Sequence, residues 1–457
     1  MQKNEEYIVD IIDNGFEGEG IAKINNFTIF IPGAIKGEKV KIIIVKVLTS
    51  YAFGKILEII TSSKNRNINI DCRTYKRCGG CNLRHINYKT TLEMKKNIIQ
   101  NLVGKNLKTK IIVKDTIGME HPFHYRNKAQ YPIGTDKDGK PMIGVFANRT
   151  HEVIQIDKCL IQNEEAEIIA KFICQFAQKN NINVYNEKTC QGLLRHIVVK
   201  VGIKTNQIMC ILVLNSEKLP NEEKLIDELT KHFPNITTIV KNINNKNTNV
   251  ILGKTNINIF GNGYIYDKLG DYTFKISPLS FYQINPIQTE KLYNLALQAA
   301  KLTGKEIVFD LYCGIGTIGI YMANKAKKVY GIEIVEDAIK DAKENCKINN
   351  ITNAEYYAGD TEKLLTELIE NKKIKPDVIV VDPPRKGLDN TTVENILKIK
   401  PTRLVYVSCN PATLIRDLSK LEGIYEIKEI QPVDMFPFTS HVECVTTIEL
   451  KWIYDYY

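Results

Sequence analysis

The chain has 457 residues, 44% of them hydrophobic, and a formal net charge of +10. That length and apolar content exclude a disordered chain or one small module, and predict roughly two to four domains with packed cores. The basic excess favours a polyanionic partner, because Lys and Arg that neutralise phosphates supply most of non-specific nucleic-acid affinity.

The opening MQKNEEYIVD is polar and acidic, and no apolar run approaches a membrane-spanning length. A cytoplasmic protein with no membrane association is therefore expected. There the 11 cysteines read as metal ligands, nucleophiles or packing residues and not as disulfides.

Residues 1–61 carry short β-branched runs at 7–12, 20–24, 28–32, 39–47 and 53–60, punctuated by Gly15, Gly18, Gly20, Gly33 and Gly37. The pattern predicts a five-stranded β-barrel of the OB type, which commonly binds nucleic acid. Residues 62–265 read as a central α+β domain. It opens with a loop-rich, Cys-containing segment. A helix follows over 88–103, with Leu92, Ile98, Ile99 and Leu102 on one face, a face suited to packing on the last domain. Basic stretches occur at 124–128 (HYRNK) and 194–196 (LRH), and the polar run 242–249 (NINNKNTN) is expected to be a surface loop. Over 266–457 apolar strand, glycine turn and helix alternate, which predicts an α/β Rossmann-like domain with a mostly parallel sheet. Its expected strands are 307–311, 328–333, 355–358, 378–381, 404–408 and 445–450.

The first of these strands runs through Asp310 and Tyr312 into the turn CGIGTIG, where Gly314 and Gly316 let the backbone approach a ligand closely. The second ends in Glu333, 23 residues after Asp310, where a carboxylate can take both hydroxyls of a ribose. This glycine spacing is not the usual dinucleotide one. The fourth strand ends in Asp382-Pro383-Pro384-Arg385, a DPP-type loop of S-adenosylmethionine-dependent enzymes that hold a nucleobase. Amine-methylating relatives follow the prolines with Tyr or Phe, and Arg385 in that place argues against amine methylation.

The segment LVYVSCNPATLIRD then puts Cys409 just past a buried strand, at a turn forced by Asn410-Pro411. A pyrimidine C5 cannot take a methyl group from a sulfonium unaided; addition of a thiolate to C6 makes C5 nucleophilic. A base must afterwards remove the C5 proton. Glu443, in HVEC before the last strand, is the candidate, with a pKa that burial should raise.

Cys72, Cys78 and Cys81 (C-x5-C-G-G-C) together with the distant Cys159 can complete a four-cysteine site, for which spacing alone admits zinc and an iron–sulfur cluster equally.

LYCGIG, DPPRKG, SCNPATLIRD and HVEC, in this order, resemble the RNA uracil-C5-methyltransferase family over nearly the whole chain. The resemblance implies a class I methyltransferase domain in which Cys409 is the nucleophile and Glu443 the general base. It implies S-adenosylmethionine contacts from Gln283 (of FYQIN), Tyr312, Glu333, Asp360 and Asp382. The barrel resembles a TRAM domain. The ribosomal-RNA branch carries a [4Fe–4S] cluster on this cysteine pattern, so the resemblance implies that cluster, as a structural staple, on Cys72, Cys78, Cys81 and Cys159. Arg126 and Lys128 fall where the family's central domain approaches RNA. The expected reaction is C5 methylation of uridine in 23S ribosomal RNA, with tRNA as the alternative substrate. RNA cytosine-C5 enzymes typically carry a second Cys in the fourth-strand motif, and none stands there. A catalytically dead RNA-binding scaffold is disfavoured by the intact set of site residues. No obligate protein partner is evident.

Overall fold

The computed structural model describes residues 1–451. The first 61 residues form a six-stranded sheet in the order Glu6–Asp10, Lys39–Val47, Tyr51–Thr61, Phe27–Ile31, Gly20–Ile24, Asp13–Asn14. Alternation dictates its two faces. Ile29, Ile31, Val40, Ile42, Ile44 and Ala52 point into one core and their neighbours point out. A two-residue strand joins the five expected from the sequence.

The central sheet has seven strands, ordered Val153–Gln155, Pro141–Phe146, Lys128–Thr135, Leu194–Val201, Ile208–Leu214, Ile236–Ile243, Thr255–Gly261. Helices Glu164–Lys179 and Glu222–His232 cover one face. Its other face shares a core with the C-terminal domain, in which Val198, Met209, Ile211 and Val213 meet Phe274, Ile276 and Leu292. Every residue of Leu194–Val201 and Ile208–Leu214 is therefore buried. The basic stretch at 194–196 is thus interior. Arg195 donates to the carbonyls of Asn244 and Lys246 at 2.6 and 2.9 Å. The run 242–249 is only partly a surface loop. Asn242 lies within a strand, and its buried amide holds the Gly253 carbonyl at 2.9 Å, while Asn244 holds Val250 and Ile251. These asparagines satisfy loop carbonyls that would otherwise be orphaned.

The C-terminal sheet has eight strands, ordered Ala354–Ala358, Lys328–Glu333, Ile307–Leu311, Val378–Val381, Arg403–Ser408, Glu443–Leu450, Tyr425–Val433, Ile112–Val113. The first five are parallel, and Glu443–Leu450 runs antiparallel between its neighbours. Helix Tyr88–Asn106 lies on this sheet, and Ile99 and Val103 join Leu414, Ile415 and Leu418 in one core. Its buried line is Thr91, Lys95, Ile99, Val103, not the face of Leu92, Ile98 and Leu102, because Lys95 finds an acid inside the protein. Among the described residues no helix is long and apolar enough to cross a membrane.

Candidate active site

Cys409 follows the last residue of strand Arg403–Ser408. Helix Pro411–Leu421 starts two residues later, capped by Asn410, whose side-chain oxygen accepts from the Ala412 amide at 3.1 Å. Proline suits that first helical turn because its missing N–H is not needed there. The turn is tightened by the Ser408 hydroxyl, which accepts from the Asn410 amide at 3.2 Å. The neighbouring strand runs antiparallel with Ser408 opposite Cys444. One further step along this register sets Cys409 against Glu443. Cys409 is half-buried at a cleft of about 780 Å³, and Glu443 is 4% exposed behind it.

Electrostatics couple the two. Burial, then the Asp382 carboxylate, holds the Glu443 carboxyl well above the ordinary range, with Arg385 opposing. Asp382 is raised by burial as well. Burial pushes the Cys409 thiol up to about 12, with the Glu443 and Asp382 carboxylates adding to it and Arg385 countering. Arg385 approaches Nε2 of His441 at 3.4 Å, and burial takes His441 down to about 4, so its ring is neutral. The Arg385 carbonyl is gripped by the Asn410 amide at 3.0 Å and the Thr413 hydroxyl at 3.2 Å. The DPP loop and the nucleophile turn thus form one unit.

The loop 434–442, which leads into Glu443, is anchored from several sides. Asp434 is fully buried, and it accepts from Lys95 at 2.5 Å and from the Tyr88 hydroxyl at 2.7 Å. Gln288 donates to its carbonyl, and Asn285 to that of Met435. At the far end, Asn82 pairs reciprocally with Ser440, donating to its hydroxyl at 3.0 Å and accepting its amide at 2.9 Å. Asn82 directly follows Cys81, so the cysteine segment touches the catalytic loop.

Of the cofactor candidates, Tyr312, Glu333, Asp360 and Asp382 stand just at or past the C-terminal ends of parallel strands, where open α/β sheets bind ligands, and Gln283 lies apart in the segment before helix Pro286–Ala300. Glu333 accepts from the Gly314 amide at 3.1 Å and from Val335 at 3.0 Å, so it stands at the glycine turn. Gly314 and Gly316 have φ of 53° and 79°, and a side chain built on Gly316 would press on Tyr356. Asp310 is fully buried; one oxygen takes the Gly319 amide at 2.8 Å and the other is orphaned. Tyr312 has φ of 66°, which few side-chain-bearing residues adopt, and its hydroxyl donates to Asp389 at 3.2 Å. Asp360 is exposed and caps helix Thr361–Glu370 by accepting from Lys363. Gln283 is fixed through its backbone, whose carbonyl accepts from the Asn127 side chain at 2.9 Å.

Ile334 and Val335, 66% and 53% exposed beside Glu333, escaped the sequence reading. Their signal was an apolar pair directly after the strand-tip acid, a shelf suited to a flat ring.

The thiols of Cys72, Cys78, Cys81 and Cys159 line one cavity of about 450 Å³. The Gly80 amide donates to the Cys78 sulfur at 3.2 Å. Burial, then the Cys159 and Cys78 sulfurs, drives the Cys81 thiol up to about 12. Among the described residues no three His, Cys, Asp or Glu side chains are arranged to hold a single ion. Arg126 lines both this cavity and the cleft beside Cys409. Lys128 is not brought to the cleft; it lies with Lys200, Ser280 and Tyr282 around a separate small pocket. Arg149, unremarked in the sequence, takes a place beside Arg126 at the cleft.

Comparison with known proteins follows this geometry. Residues 87–451 match the model of the tRNA (uracil-5-)-methyltransferase family, and residues 2–57 match the TRAM domain. An RNA methyltransferase of Clostridium tetani is 48% identical over 446 residues, covering 97% of this chain and 96% of that protein. One from Staphylococcus epidermidis is 45% identical over 452 residues, covering 99% of each. Among solved structures, the Pyrococcus abyssi tRNA (uracil-54, C5)-methyltransferase in complex with S-adenosyl-L-homocysteine superposes with a TM-score of 0.77 at 27% identity, covering 97% of this chain and 100% of that one. With a TRAM domain at its front and a class I methyltransferase domain behind, the chain belongs to the tRNA (uracil-5-)-methyltransferase family of S-adenosylmethionine-dependent RNA methyltransferases.

Proposed function

We propose that this protein methylates C5 of a uridine in 23S ribosomal RNA through a covalent adduct between Cys409 and C6 of the base. The observation that carries the reading is Cys409 in the cleft with buried Glu443 at the start of the adjacent antiparallel strand, near enough to raise the Cys409 thiol. The target uridine leaves its stack to enter the cleft. The Cys409 sulfur adds to C6, and electron density moves to C5 and O4. S-adenosylmethionine, when bound, supplies an electrophilic methyl group. Glu443 as carboxylate then takes the C5 proton, the C5=C6 bond re-forms and Cys409 leaves as thiolate. Asp382 stands near both.

The residues present fit the methyl donor. The Glu333 carboxylate is suited to the ribose hydroxyls, Ile334 and Val335 to the adenine face, and Gln283, Tyr312, Asp360 and Asp382 to the remaining contacts. The orphaned Asp310 oxygen and the open space over Gly314 support a ligand at this turn.

The four cysteines line one cavity and, as thiolates, are suited to a [4Fe–4S] cluster, with zinc as the alternative. The centre's role is to fasten the loop-rich segment that supports Ser440 and Phe438 through Asn82 and Leu83.

A tRNA substrate is the second reading, favoured by the Pyrococcus enzyme, which acts on tRNA and matches along the whole chain. Likeness along nearly the whole chain therefore does not by itself select ribosomal RNA. Mapping 5-methyluridine in both RNAs from cells lacking this protein decides. Loss of the base from 23S RNA alone is expected, and loss from tRNA alone would replace the ribosomal assignment.

A further inference from the structure

Three aromatic side chains crowd together on the TRAM domain. The ring centroids of Phe30 and Tyr51 lie 5.4 Å apart, Phe30 and Phe53 6.0 Å, and Tyr51 and Phe53 5.6 Å. Their strands run parallel, with Phe30 opposite Phe53 and Thr28 opposite Tyr51. Ile29 and Ala52, one residue along each strand, are fully buried in the core. The period of two therefore puts all three rings on the opposite, outward face, where they stay half-exposed. Core packing accounts for none of them.

Two observations say what covers this face. The first is charge. Cross-strand partners share a face, and exposed lysines lie opposite members of this patch: Lys23 opposite Thr28 and Lys46 opposite Phe53. Exposed Lys55 follows Phe53 by two residues on the same side. Rings interleaved with lysines are the chemistry that holds single-stranded nucleic acid, by base stacking and phosphate neutralisation. The second is continuity. Phe53 lines the same cleft as Cys409, together with Arg126 and Arg149.

We propose that Phe30, Tyr51 and Phe53 form a stacking site for unpaired bases next to the reacting uridine, on the RNA strand as it leaves the cleft. This deepens the RNA-methylating reading above and rests on it. Extruding one base unstacks its neighbours. A ring platform at the cleft mouth offsets that cost without reading sequence, because every base has a stacking face.

The test uses the full chain and a short oligouridylate carrying one 2-aminopurine, whose fluorescence falls on stacking. Phe30→Leu, Tyr51→Leu and Phe53→Leu keep apolar bulk and remove the aromatic face; thermal melting verifies that each folds. Roughly tenfold weaker binding per ring and lost quenching are expected, with the salt dependence of Kd unchanged. Lys46→Gln should instead lower the salt slope by about one and keep the quenching. Wild-type affinity and quenching in the triple Leu variant would overturn the platform, and so would a loss that appears only as a smaller salt slope. In methyl transfer, the triple variant should raise KM for RNA and preserve kcat. Absence of 5-methyluridine formation by the wild-type protein, with the binding differences intact, would remove the enzymatic reading and leave the platform standing.

Discussion

At the residue scale the chemistry reduces to a thiol and a carboxyl that share one buried field. Both are held in their uncharged forms more firmly than in water. Thiolate and carboxylate are the reacting states, and a raised pKa moves each to higher pH. The value of kcat/KM should therefore climb as pH rises through neutrality, and a flat or falling profile would contradict these assignments. Cys409→Ala should lower methyl transfer by at least about a thousandfold while leaving binding of the methyl donor intact by calorimetry. Glu443→Gln should permit addition and methylation but stall release, so that a protein–RNA adduct accumulates on a denaturing gel. The sequence singled out these two residues because Cys409 directly follows one predicted strand and Glu443 stands at the start of its neighbour. It hid the left-handed backbone of Tyr312, since no local residue pattern announces a strained aromatic. Arg126 precedes strand Lys128–Thr135 and lines the cleft, whereas Lys128 begins that strand and lies beside Lys200, a distinction that no local residue pattern announces.

At the element scale, helix Tyr88–Asn106 is bolted to the catalytic loop by a charge pair that no solvent reaches. Lys95→Met leaves Asp434 buried without its cation and should destabilise the protein by about 3–5 kcal/mol, visible as a large fall in melting temperature. Lys95→Met combined with Asp434→Leu should recover much of that loss. Unchanged melting of the single variant would show that the pair does not hold the helix. This contact was illegible because a lysine on a helix reads as a solvated residue until its acid, 339 positions away, is placed beside it. Strand Tyr425–Val433 escaped for a different reason. Its register shifts between Ile427 and Glu429, so the alternation of buried and exposed side chains slips midway. The parallel strands were easy to find, because burial on both faces makes them continuous apolar runs.

At the scale of the whole molecule, the cleft belongs to three parts of the chain at once. Phe53 of the TRAM domain, Arg126 and Arg149 of the central region and Cys409 of the catalytic domain line it together. The cysteine segment joins them by clasping Ser440. Protein purified without oxygen should be brown and bleach in air, and Cys81→Ser should lose the colour; a colourless preparation with stoichiometric zinc would replace the iron–sulfur assignment. The most direct test of the catalytic proposal uses RNA bearing 5-fluorouridine at the target position, where the fluorine cannot be removed as a proton is. In the presence of S-adenosylmethionine, wild-type protein should become covalently joined to this RNA through Cys409 and run as a retarded band under denaturing conditions, and Cys409→Ala should not. Free RNA and free protein after full incubation, with methyl transfer to unmodified RNA intact, would contradict attack by Cys409.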